Sequence, residues 1–209
     1  GGFARRWEFS ARSRHKRRLE ILQAKAALKA ATPPKQVAHA AEPKPITKPS
    51  PTQPQLEKLF AEHDAVTARW LDYELDVAKL IAYPTISDGR QPLTAAFLRA
   101  KKTADRLRPT SPKAHPTDAE LAAYASAVTD YEVAFDVAER EARRLRDSDF
   151  TETERKRLAT AQKLLSVAVD GAATPAERQV AYKRVREELD GLIVVSDEAI
   201  VVLEKKVAL

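Results

Sequence analysis

The chain has 209 residues, of which 44% are hydrophobic and 32% charged, with a formal net charge of +6. This leaves room for one or two domains with a sizeable core and excludes collagen-like and wholly disordered chains. With no cysteine there is no disulfide, thiolate metal site or cysteine nucleophile, and no run of about 18 apolar residues would span a bilayer.

The charge is unevenly placed. Residues 1–50 hold twelve Lys or Arg against three acids, a net +9, so the other 159 residues sum to −3. The start of the chain, "FARRWEFSARSRHKRR", carries seven of those cations with Phe3, Trp7 and Phe9 at its front. Residues 3–31 read as a helix, because "RRLEILQAKAALKAA" is rich in helix formers. From Thr32 to Pro54 seven prolines remove backbone donors and bias their neighbours away from helix. This segment is expected to be an extended tether, with a reach of about 70 Å. The predicted organisation is therefore a basic helix over 1–31, a Pro-rich linker over 32–54 and a helical body over 55–209.

Leu56, Leu59, His63, Val66, Trp70, Tyr73, Val77 and Leu80 recur at three- and four-residue steps. The spacing predicts one long helix with a heptad-like seam, stopped by Pro84. A shorter helix follows, with Leu93, Phe97, Ala100, Ala104 and Leu107 on one side. Thr117 and Glu120 have the spacing of a capping box. The helix they open keeps Leu121, Tyr124, Val128, Tyr131, Phe135, Ala138, Ala142 and Leu145 in register for about seven turns. Thr151 and Glu154 cap the next helix, which buries Leu158, Ala161, Leu165 and Ala168 and stops at Gly171. Thr174 and Pro175 start another, with Val185, Leu189 and Leu192 as its stripe and Gly191 near its end. Ser196 caps a final segment, and the β-branched run Ile193–Val195 is the one place for a short strand. The expected fold is all-α: an antiparallel helical bundle behind the basic helix and tether.

Motifs for chemistry are scarce. Of the four histidines only His63 lies on a seam, and none has a Glu three residues before it, so His63 reads as packed rather than ligating. Asp72, Glu74 and Asp76 form an acidic cluster in which Asp72 and Asp76 share one helix side and Glu74 points elsewhere. This cluster, and the acids Asp130, Glu132, Asp136, Glu139 and Glu141, read as solvated faces. Trp70 and Tyr73 read as core. Gly89 and Gly191 are isolated, and no serine stands in a nucleophile elbow. No catalytic residue, metal site or cofactor is predicted, and an enzyme is not expected.

The arm is the part with a functional bias of its own. Aromatics favour the bilayer interface and cations gather at its cytoplasmic edge, in the order found here. Arg5, Arg6, Trp7, Arg12, Arg14, Lys16, Arg17 and Arg18 are the candidate membrane- or phosphate-binding residues. With no Met at its start, the chain is expected to begin inside a longer reading frame or to have been processed or cloned, and a spanning helix ending just before Gly1 would give this order of residues. The same cations suit nucleic-acid phosphates, although no nucleic-acid-binding module is visible. An Arg- and Ser-rich, acid-poor start also fits an organellar transit peptide.

The segments "WLDYELDVAKLI", "QPLTAAFLRAKKTADRLRP" and "ATPAERQVAYKRVREELDGLIVV" resemble uncharacterised membrane-associated helical proteins of actinobacteria, over most of residues 55–203. The resemblance implies an N-terminal anchor and a cytoplasmic helical domain, and supplies no catalytic motif. The expected function is that of a non-catalytic, membrane-anchored helical domain with its body facing the cytoplasm. It would act as a scaffold or regulator on an unknown protein partner, with an anionic membrane surface beneath it. The alternative is a nucleic-acid-associated structural protein that uses the basic arm.

Overall fold

The computed structural model describes residues 52–208; the predicted basic helix over 1–31 and almost all of the tether lie outside the described residues. Seven α-helices follow one another: α1 (Thr52–Glu74), α2 (Val77–Ala82), α3 (Pro92–Leu107), α4 (Asp118–Leu145), α5 (Glu152–Ala168), α6 (Pro175–Leu189) and α7 (Asp197–Ala208). A 3-10 turn, Pro84–Ser87, sits between α2 and α3. Helix α1 starts three residues before the predicted body, since Pro54 falls in its first turn, where backbone N–H groups have no intrahelical partner anyway. Among the described residues there is no strand.

Helix starts follow local chemistry closely. Thr117, Thr151 and Thr174 each accept the N–H of a Glu three residues on, and each Glu carboxylate accepts the N–H of its Thr. These three reciprocal boxes open α4, α5 and α6. The Ser196 hydroxyl accepts the Ala199 N–H at the start of α7. Gly191, with φ of 74°, turns the chain just after α6 in a conformation that a side chain would strain.

The first predicted helix is two. The Ala78 N–H, which a continuous helix would give to the Glu74 carbonyl, goes instead to Asp76 Oδ1 at 2.9 Å. Asp76 itself adopts an extended conformation and caps α2. The break redirects the seam: Leu80 stays in the core of α1, whereas Val77 and Ile81 enter a second core.

The first core lies among α1, α3 and α4. Phe97 stacks on Tyr131 with ring centroids 6.0 Å apart and meets Phe135 edge-on, while Trp70 closes the other side. Leu56, Leu59, Phe60, Leu121, Tyr124 and Val128 extend it toward the N-terminus of α1. Contacts His63–Tyr124, Thr67–Tyr131 and Tyr73–Glu139 advance together along α1 and α4, so these two helices run parallel. Helix α3 runs antiparallel to both. Its early residue Phe97 meets the middle of α4, and its late residue Asp105 reaches back to His63.

The second core joins α5, α6 and α7 with α2. Helices α5 and α6 form an antiparallel hairpin, in which Arg157 near the start of α5 donates to the Glu187 and Asp190 carbonyls near the end of α6. Ile193 and Val195, the run with strand propensity, pack against both cores and bridge them. Their β-branched side chains serve burial without a sheet partner.

The stripe of α3 is rotated from its predicted position. Thr94, Phe97, Lys101 and Ala104 are buried, while Leu93 and Leu107 stay more than a third exposed. The predicted stripe of α4 is buried apart from Leu145, which is half-buried.

Candidate functional site

The most chemically loaded place in the body is where α1, α3 and α4 meet around His63. The imidazole is 1% exposed. Its Nδ1 lies 3.0 Å from the Tyr124 hydroxyl and its Nε2 3.0 Å from Asp105 Oδ1. The Lys101 ammonium donates to Asp105 Oδ2 at 2.6 Å and stands 5.0 Å from the centre of the Trp70 ring. One turn along α1, Thr67 gives its only hydroxyl proton to the His63 carbonyl at 2.9 Å, so the Tyr131 hydroxyl, 3.3 Å away, donates to Thr67.

Donor counting sets the tautomer. Asp105 accepts only, so Nε2 carries a proton. If Nδ1 is bare, the buried Tyr124 hydroxyl has an acceptor, and every group in the chain is satisfied. In the neutral imidazole this arrangement places the proton on Nε2. Burial pushes the Asp105 carboxyl up, but the hydrogen bond from His63 and the Lys101 charge outweigh it and hold it below the usual carboxylate range. Burial pushes the Tyr124 and Tyr131 hydroxyls well up, so both are neutral donors.

A second polar cluster lies farther along α1 and α4. Tyr73 donates to Glu139 at 2.7 Å, and Arg69 and Arg143 flank the same carboxylate. Burial and the bond to Glu139 push the Tyr73 hydroxyl up to about 12. Burial alone would raise the Glu139 carboxyl, but Tyr73 and Arg69 bring it below its ordinary value. Near the end of α3, Arg108 holds Asp64 through two bonds of 2.6 and 3.2 Å and lies over the Phe60 ring.

These contacts correct part of the acidic-face reading. Asp130 and Glu132 are exposed, and Asp72 is a surface partner of Lys79. Glu74, by contrast, is buried and accepts the Ser87 hydroxyl at 2.7 Å. Because α1 ends at Glu74, the chain folds back and lays the 3-10 turn over this side chain. Trp70 and Tyr73 are core, as their seam positions predict, and His63 is packed, as expected, but inside a polar network. Lys101 and Asp105 had no role in the sequence reading. Their signal was an i,i+4 charge pair lying on or beside the apolar stripe of Phe97 and Ala104.

The arrangement is built for holding helices together. Both ring nitrogens of His63 and both oxygens of Asp105 are engaged within the network. A groove of about 410 Å³ lies elsewhere, between α2, α5 and α7. Among the described residues no group of three or more His, Asp or Glu is placed to hold a metal ion, and no helix is long and apolar enough to cross a membrane. The candidate membrane- or phosphate-binding residues Arg5, Arg6, Trp7, Arg12, Arg14, Lys16, Arg17 and Arg18 lie outside the described residues. Comparison with protein-family models, curated proteins and solved structures returns no match.

Proposed function

We propose that this chain is a non-catalytic helical module held at an anionic membrane surface by its basic N-terminal segment, with the helical body facing the cytoplasm and engaging a protein partner as a scaffold or regulator. The observation that carries the reading is the charge segregation: +9 in residues 1–50, led by Phe3, Trp7 and Phe9, against −3 in the rest. Each cation near an anionic bilayer gains about 1 kcal/mol, so seven within sixteen residues suffice for attachment at moderate salt. The body supports the reading in that its densest polar cluster joins three helices, α1, α3 and α4. Helix α1, at 23 residues, also carries its far end about 34 Å from the point where the tether joins.

Flotation of the full chain with liposomes tests this. Binding to vesicles with anionic lipid, none to zwitterionic ones, and loss when Arg5, Arg6, Arg12, Arg14, Lys16, Arg17 and Arg18 are all changed to Gln is the expected result. No binding to anionic vesicles at moderate salt would defeat the membrane reading. A gel shift with RNA or DNA, steeply salt-dependent and abolished in the same variant, would move the arm to the nucleic-acid reading.

A further inference from the structure

We propose that Arg178, at one end of the second core, is the centre of a site for an oxyanion, a phosphate or carboxylate group. This goes beyond the role of the arm and does not depend on it. Arg178 opens the buried face of α6, where Ala181, Val185 and Leu189 follow it. It is 7% exposed, and its Nε–H is shielded from solvent with no hydrogen-bond partner among the described residues. The nearest acids along the chain and in register are committed elsewhere. Glu177 accepts the Thr174 N–H and hydroxyl in the capping box, Asp170 accepts the Ala172 N–H, and Glu204 accepts the Tyr182 hydroxyl one turn along α6. A guanidinium out of water with no anion beside it is costly, so such a group in a folded chain marks a missing partner.

Helix register locates the site. Arg157 meets Glu187 and Asp190, and Tyr182 meets Glu204, so Arg178 lies level with the last turn of α5 and with Ala208 at the end of α7. Side chains lean toward the N-terminus of their own helix, which carries the Arg178 guanidinium back toward the first turn of α6. There Pro175 has no N–H, the Glu177 N–H is given to Thr174, and the Ala176 N–H has no intrahelical partner. The positive end of α6 and the guanidinium therefore favour an anion at the same end of the helix. The orphaned donor narrows the chemistry further. Nε–H and the neighbouring Nη–H form a parallel pair that matches two oxygens of one carboxylate or phosphate, which a single-atom anion such as chloride does not offer.

The test is an NMR titration of the full chain with inorganic phosphate and, separately, with acetate, at ionic strength held constant with chloride. The cations of the arm also meet phosphate, so the readout is local. Saturable shifts of the Arg178 Nε–Hε and Ala176 N–H signals are expected, with little change at Val133, an exposed residue of α4. The stronger of the two anions identifies a phosphoryl or a carboxylate ligand. Arg178→Lys keeps the charge but loses the paired donors, and should weaken binding about tenfold. Arg178→Met continues the apolar stripe and should abolish the shift at Ala176. In chloride it should match or exceed the stability of the unaltered chain, since it removes a buried charge with no partner. The proposal is overturned if neither anion gives saturable shifts, if Ala176 responds equally in Arg178→Met, or if Arg178→Met is strongly destabilised in chloride, which would mean that the chain itself already supplies the anion.

Discussion

Replacing His63 with Leu tests whether the buried network holds α1 to α3 and α4. The substitution keeps an apolar side chain on the seam but removes both ring nitrogens. The Tyr124 hydroxyl, fully buried, then loses its acceptor, which costs about 1–3 kcal/mol. Asp105 loses one partner too, but its side chain is 43% exposed and keeps Lys101, so water replaces most of that bond. The total is about 2–4 kcal/mol, read as a lower urea midpoint at unchanged m. Tyr124→Phe alone should cost about 1 kcal/mol. The double variant His63→Leu/Tyr124→Phe should be about 1–2 kcal/mol more stable than the two single effects predict, because it leaves no orphaned hydroxyl. A loss below 1 kcal/mol for His63→Leu, with strict additivity in the cycle, would refute this account of the network.

Three further outcomes follow from the same geometry. The folded-state carboxyls of Asp105 and Glu139 lie below their unfolded values, so the stability they contribute is present above about pH 4 and is lost as pH falls through their folded values. Asp105→Asn and Glu139→Gln should each flatten the acid limb of a stability–pH curve measured by urea unfolding. At the alkaline end the sign reverses in pH: the Tyr73 hydroxyl is raised to about 12, so its contribution is intact below about pH 10 and lost as pH rises toward 12. Tyr73→Phe should remove one late-ionising phenol from the ultraviolet titration of the folded chain. Asp76→Ala removes the α2 cap and should cost about 1 kcal/mol, with faster amide exchange at Ala78; unchanged exchange there would mean that the break is held by tertiary packing instead.

Element boundaries were legible where local chemistry alone decides them. The Thr-x-x-Glu boxes, Pro175 at a helix start and Gly191 at a turn act within four residues of themselves. The seam of α4 was equally clear, because large apolar residues at helical spacing have one favourable face to bury. The break at Asp76 was not: Asp72, Glu74 and Asp76 look alike in the sequence, and only folding shows that one pairs on the surface, one is buried and one caps a helix. Lys101 was missed for a related reason. A lysine is expected outside unless paired, and its partners include Trp70 thirty-one residues away.

The sequence by itself determined that this is a helical chain, where most helices begin and end, and that its charge is divided between a basic arm and a mildly acidic body. Those properties are sums over near neighbours and need no knowledge of what lies opposite. Tertiary structure decided the rest: the parallel course of α1 and α4, the two cores bridged by Ile193 and Val195, the closed circuit from Tyr124 through His63 and Asp105 to Lys101, and the groove beside α5. Each depends on groups distant in the chain meeting at hydrogen-bond or van der Waals range. A helix period specifies which face is buried but not what is buried against it.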